Sequence, residues 1–391
     1  MLQNIDPKYK LTVAIVVVGY NRLNSMKRLL NSLLQANYPS DDVPLIISVD
    51  CSGETMLYDY VKDFKWPFGK KHVNIQEERL GLRDHIYQCG DLTEFFKGII
   101  VLEDDLFVGP SFYYYAIKAL EKYGEDKRIA QISLYKNERN GYVGFPFVNM
   151  QNGCDVFLYQ GVSTWGECWN KSMWNDFKKW RDTNSEDDIQ NIDLPNAVKK
   201  WTKAWSKYYN AYMVDQNKFA VFPNIPVATN FSDAGEHGDD NNSLVQVNLL
   251  QEDFEYRFYD YEKLCKYDIF ANNLAVCEWL GINKNDICLD FYGFHNNYTE
   301  CKFILSTRIL PYRIIKTFAL NMRPIELNVK YNIEGKGIYL YDTQGETRVK
   351  KGRLTNDIIE YFLDGFNHKY LIRATIEYYW NRIKAKMKWI N

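Results

Sequence analysis

The sequence predicts a doubly wound α/β sheet. Three observations lead there. Apolar runs in the first hundred residues are continuous rather than alternating. They trade places with segments of helical periodicity, and each run is followed directly by polar or acidic residues. A strand covered on both faces by helices has no solvent side, so its apolar residues run without interruption.

"LTVAIVVVGYNR", residues 11–22, is the first such strand. After it Met26, Leu29, Leu30, Leu33 and Leu34 recur at helical spacing, with Asn24 or Ser25 available as cap and Pro39 ending the segment. "VPLIISVD" gives a second buried strand, "TMLYDYVKDF" a helix and "HVNIQ" a third strand. "DHIYQCGDLTEFF" reads as helical, and "GIIVL" closes the series as a fourth strand. In open sheets of this kind ligands bind beyond the carboxyl ends of the strands. Asn21-Arg22, Asp50 and the triplet Glu103-Asp104-Asp105 all fall at such ends.

The later chain is less regular. Residues 181–193, "RDTNSEDDIQNID", read as a polar surface loop, and "KFAVFPNIPVATNFSDAGEHGDDNN" as a short strand and then a Gly- and Asp-rich loop. Beyond residue 250 the pattern suggests a Tyr-rich helical stretch, the segment "LSTRILPYRIIKTFALNM", a strand pair from Ile325 to Val349 and a final amphipathic helix. These shifts divide the chain into residues 1–250 and an extension, 251–391. The last helix carries Lys369, Arg373, Arg382, Lys384, Lys386 and Lys388 against one acid, Glu377. Ile372, Ile376, Tyr379, Ile383, Met387 and Ile390 form its apolar stripe. Such a stripe suits either docking onto its own domain or lying on an anionic membrane surface.

Composition narrows the function classes. A net charge of −2 gives no basic field for nucleic acid. Eight cysteines without CxxC spacing do not form a zinc pattern and read as reduced, mostly buried thiols of a cytoplasmic protein. The start "MLQNIDPKYK" lacks the apolar stretch of a signal peptide, and the longest apolar run, Val13–Val18, cannot span a bilayer. The expectation is a soluble protein, free or peripherally attached to the inner face of the plasma membrane. Aromatic content of 16% fits a core, and it also fits surfaces on which sugars stack.

Three like charges at the end of a buried strand repel one another unless a cation joins them. Mn²⁺ or Mg²⁺ takes hard oxygen ligands, commonly one or two carboxylates together with substrate phosphates. An acidic strand end therefore suits a nucleoside-diphosphate ligand, with Arg22 and the helix start available to phosphate.

The ordered set "AIVVVGYNR", "IISVDCSGE", "IIVLEDDLFVGPSFYYY" and "GVSTWGECWNKSMW" resembles the GT-A-fold glycosyltransferases, most closely the N-acetylglucosaminyltransferase I group and its bacterial relatives, over roughly residues 10–245. The resemblance implies a Rossmann-like nucleotide-diphospho-sugar transferase domain with a smaller C-terminal α+β extension. It implies that Asp50 contacts uracil, that Arg22 lies near the diphosphate, that Glu103 bonds the donor sugar, that Asp104 bonds the ribose and that Asp105 binds Mn²⁺. The loop "SDAGEHG", residues 232–238, is similar to one that closes over the nucleotide sugar, with His237 either a donor contact or a plain loop residue. Trp165 and Trp169 would line the acceptor side, or stand in the core. The implied acceptor is a glycan or lipid-linked glycan of a bacterial surface polymer.

One position departs from the family. Inverting transfer needs a carboxylate to take the acceptor's proton, and the family carries an Asp directly after a Trp. Here Trp205 is followed by Ser206 and Lys207. Asp215 and Glu167 are the candidate replacements. A sugar nucleotidyltransferase, or a non-catalytic sugar-binding protein, are the competing readings.

Overall fold

The computed structural model describes residues 7–202, 204–233, 245–252, 254–295, 298, 301–346, 356–363 and 368–388. The opening alternation folds as its periodicity suggests. β1 (Val13–Gly19), α1 (Leu23–Leu34), β2 (Leu45–Val49), α2 (Thr55–Asp63), β3 (Lys71–Ile75), α3 (Leu82–Gly90) and β4 (Gly98–Glu103) follow in order. The four strands are parallel, ranked β4-β1-β2-β3, and every residue of β1 and β2 is buried. That burial on both faces is why their apolar runs do not alternate.

After β4 the chain forms β5 (Leu106–Val108), α4 (Phe112–Tyr123), β6 (Ile129–Ser133), β7 (Val156–Tyr159) and β8 (Glu167–Trp169). Helices α5 (Lys171–Thr183), α6 (Glu186–Asn191), α7 (Asn196–Lys199) and α8 (Trp205–Asp215) precede β9 (Phe219–Pro223) and β10 (Ala228–Asn230). β8 lies antiparallel between β4 and β6, so β4 and β6 point the same way; β9 runs parallel to β6. β10 pairs with β5 apart from the main sheet. The main sheet extends past residue 250 through β11 (Lys266–Tyr267), giving nine strands in the order β11-β7-β9-β6-β8-β4-β1-β2-β3.

The remaining elements are α9 (Ala275–Leu280), β12 (Ile287–Asp290), β13 (Phe303–Ser306), β14 (Tyr312–Phe318), α10 (Leu327–Lys330), β15 (Ile338–Glu346), α11 (Asn356–Leu363) and α12 (His368–Lys388). Four of them form a second, mixed sheet ordered β12-β13-β15-β14. The main hydrophobic core is continuous from Tyr9 to Phe362. Phe362 stacks on Phe145 at 4.6 Å and on Tyr292 at 5.3 Å, which fastens α11 to both parts of the chain.

Three segments differ from their expectation. Residues 181–193 are not a loop: α5 runs to Thr183, and α6 starts from a capping box in which the Ser185 side chain and Asp188 bond each other's backbone. Acids in a first turn complement the helix dipole, so the same charges that suggested a loop favour a helix start. The Tyr-rich stretch after residue 250 holds a short 3₁₀ turn, Tyr261–Lys263, in place of a long helix. There Tyr256 and Phe258 lay their rings against Tyr115 and Tyr123 of α4, so aromatic packing decides its path. Between Ile325 and Glu346, α10 occupies the first part. The one strand there, β15, pairs with β13 and β14.

Candidate active site

β4 delivers Glu103, Asp104 and Asp105 to the edge of the sheet where the central parallel strands end. Beside it β1 ends in Gly19. A Cβ there would meet the Met26 methyl at 2.4 Å, so any larger residue would have to move the Met26 side chain, and it would stand 3.7 Å from Asp104 Oδ2. Arg22, at the start of α1, pairs with Asp104 and lies 3.2 Å from Asp105 Oδ2. Burial alone would lower the Arg22 pKa, yet the two carboxylates outweigh it and raise it.

The acids are far from equivalent. Asp104 is buried, which pushes its carboxyl up to about 6 even though Arg22 pulls the other way. Glu103 is half-buried. Desolvation, with Asp105 and Asp104 beside it, raises its carboxyl well above the usual carboxylate range, against the pull of Arg22. Asp104 Oδ2 and Asp105 Oδ1 are buried oxygens without a hydrogen-bond partner among the described residues.

A clamp that sequence reasoning missed crosses this cluster. Asp233 accepts from Ser25 Oγ at 2.7 Å and is gripped by Arg28, whose guanidinium also covers the Phe231 ring at 3.9 Å. The Asp233 carbonyl accepts from Arg22 at 3.4 Å, and Phe231 N–H donates to the Asp105 carbonyl at 2.9 Å. The first residues of the 232–238 loop are thus fastened to α1 and the acid cluster. His237 lies outside the described residues. The signal for the clamp was present in "NFSDAG" and "LNSMKRLL", but no local periodicity links segments some 200 residues apart.

Asp50 closes the other side. It is buried, and its oxygens accept the backbone N–H groups of Cys51, Leu80 and Gly81, each at 2.9 Å. The carboxylate thereby ties the end of β2 to the entrance of α3. Behind it His85 shares a 2.7 Å hydrogen bond with Ser48 Oγ, and burial lowers its pKa to about 4.

Of the two base candidates the structure brings only one to the cluster. Glu167 stands opposite Val101 in the ladder, two residues before Glu103 on the same face of β4. It is almost wholly buried, and burial with Glu103 nearby raises its pKa well above the usual range, against the pull of the Gly166 backbone N–H. Asp215 sits four residues before β9 starts, at the edge where β6 and β9 begin, whereas the acids lie where β4 ends. Its carboxylate accepts from Trp180 Nε1 at 2.8 Å and Gln216 Nε2 at 2.7 Å. Ser206 is mostly buried in the first turn of α8, and Lys207 is taken by an ion pair to Glu186.

The two tryptophans separate. Trp169 is fully buried among Trp174, Trp205 and Tyr209, at centroid distances of 4.9, 5.7 and 5.8 Å, and is a core residue. Trp165 is half-buried and meets Tyr135 edge-on at 4.7 Å. Among the described residues no group of three or more His, Cys, Asp or Glu is arranged to hold a metal by itself.

No protein-family model matches the chain, and no curated protein matches it. Solved structures do align with it. TarS of S. aureus, residues 1–349 in complex with UDP-GlcNAc, does so at 13% identity and a TM-score of 0.36, over 58% of this chain and 60% of that one. Mannosyltransferase PcManGT from Pyrobaculum calidifontis, in complex with GDP-Man and Mn²⁺, does so at 11% identity and 0.34, over 56% and 59%. The chain spans about three fifths of the length of these structures. No residue assignment rests on these likenesses.

Proposed function

We propose that the chain is a metal-dependent, inverting glycosyltransferase of the GT-A type, moving a sugar from a nucleotide donor, with UDP-sugars favoured, to a bacterial surface-glycan acceptor. The observation that carries this reading is the acid cluster at the end of β4. It holds two buried carboxylate oxygens that find no partner among the described residues, and a partly exposed guanidinium sits against their carboxylates.

Those orphaned oxygens fit a hard divalent cation. Asp105 would hold it, and a site with few protein carboxylates matches Mg²⁺ or Mn²⁺ chemistry, in which substrate phosphates complete the shell. Such an ion supplies charge neutralisation for the departing nucleoside diphosphate. The chain's own groups do the rest. Arg22 can turn from the carboxylates to phosphate, which leaves Asp104 free for the ribose. Glu103, pushed toward the neutral form, would hydrogen-bond the donor sugar. Glu167 is the one base candidate beside the cluster; burial pushes it toward the neutral form, so to take the acceptor's proton it must first be ionised in the substrate complex. Trp165 remains an acceptor-side candidate and His237 a donor-side one.

The test is turnover of a panel of nucleotide sugars with Mn²⁺, read as released nucleotide. Asp105→Ala is expected to cut metal-dependent turnover by at least about a hundredfold, roughly 3 kcal/mol of transition-state stabilisation, with the fold intact. Wild-type turnover by the variant, or full activity in EDTA, sinks the proposal. Ser206 in place of an acid favours a second reading, a nucleotide-sugar-binding protein, which would bind donor without releasing nucleotide.

A further inference from the structure

The second sheet holds a constellation that sugar transfer does not use. Cys288 lies in β12 opposite Ile304 of β13. Cys301, two residues before β13, packs against the cluster that holds Cys288, and its nearby thiol together with burial pushes the Cys288 thiol up, which leaves Cys301 the first of the two to ionise. His295, five residues after β12 ends, sets Nδ1 3.3 Å from Cys288 Sγ and Nε2 2.9 Å from Asp193 Oδ2. Asp290 accepts the His295 backbone N–H at 3.1 Å, and Phe270 covers the ring at 4.2 Å. The histidine is thus fixed in place. Cys288 and His295 are buried, whereas Cys301 is partly exposed.

This is an orienting carboxylate, a histidine and a thiol in series. With Nε2–H donating to Asp193, Nδ1 is left to accept the Cys288 S–H. The imidazolium formed when the proton crosses is stabilised by Asp193, as in other histidine-activated thiols. Burial opposes a charged His295, but Asp193 and Asp290 outweigh it.

We propose that Cys288 and Cys301 are a redox-active dithiol that takes a small disulfide as its oxidant. The partly exposed Cys301, as thiolate, attacks one sulfur of the small disulfide, forming a mixed disulfide and releasing one small thiolate, which picks up the proton that Cys301 lost. Cys288 then passes its proton to His295 Nδ1 and attacks Cys301 Sγ. The Cys288–Cys301 bond forms, the bond from Cys301 to the small thiol breaks, and the leaving thiolate takes the proton from His295. Two protein thiols are oxidised and one small disulfide is reduced to two thiols. Cross-linking ties β12 to the residues just before β13 and removes the Cys288 S–H from His295.

The test uses the full chain, reduced and then treated with oxidised glutathione, quenched in acid and mapped by peptide mass. Wild type is expected to lose two hydrogens as a Cys288–Cys301 disulfide. Cys288→Ser is expected to arrest with one glutathionyl group on Cys301. His295→Gln should slow closure from the mixed disulfide by roughly a hundredfold, and Asp193→Asn by roughly tenfold. The Asp193 side chain is 61% exposed, so this second variant remains informative if His295→Gln does not fold. An absent internal disulfide in wild type, an unmodified Cys301 in Cys288→Ser, or closure at the wild-type rate in Asp193→Asn overturns the proposal.

Discussion

Single side chains at the sheet edge show how burial sets protonation. Glu103 and Glu167 are both pushed toward the neutral form, which lets two acids share one face without repulsion. His85 is pushed the opposite way, since burial favours its neutral imidazole, from 6.5 to about 4. An unfolded chain takes up that proton once the pH falls below 6.5, and the folded one does not until about 4. The contribution of His85 is therefore fully present above 6.5 and is lost as the pH falls through 4. The loss is about 3 kcal/mol at most. Asp104, raised to about 6, acts in the opposite sense over part of the same window, so the measurement is a difference. Urea unfolding of wild type and His85→Gln between pH 7 and 4.5 is expected to show the wild type losing stability faster on acidification. Parallel curves would mean that His85 is not held neutral.

At the scale of elements, α12 is the least settled by its own pattern. Its stripe could have packed on the domain, but Ile372, Ile376, Tyr379 and Ile383 are all exposed, Ile376 to 65%. An apolar row in water marks a contact surface. Six basic residues against one acid between Phe366 and Asn391 would make a second copy of the helix repel it, and they complement an anionic bilayer. Wild type is expected to sediment with vesicles containing anionic lipid, less so as salt rises. A chain lacking residues 367–391 should stay in the supernatant. Soluble wild type at low salt would remove the membrane from this account. No helix among the described residues is long and apolar enough to cross a membrane.

For the whole molecule, the continuous core makes distant segments share their stability. Phe362 is buried against Phe145 and Tyr292, and truncating a buried phenylalanine costs about 3–5 kcal/mol. Phe362→Ala is expected to shift one unfolding transition, seen alike by far-UV circular dichroism and tryptophan fluorescence. Two transitions, with the first strand–helix units unmoved, would show that the C-terminal part melts by itself.

Local chemistry was enough for β1 to β4, for α1 to α3 and for the placing of Arg22, Asp50 and Glu103–Asp105. Strand burial and helical spacing are written in neighbouring residues, and topology puts strand ends at one edge. Contacts across long sequence separations were not legible. Asp233 reaches Ser25 and Arg28 only once β10 is paired with β5, and Asp215 is carried to the far edge by the direction of β9. Trp169 became core and Trp165 stayed half-buried because β8 sits between β4 and β6, which no spacing in "TWGECW" encodes. Periodicity records what each residue needs from its surroundings; only the packed chain decides which other residues supply it.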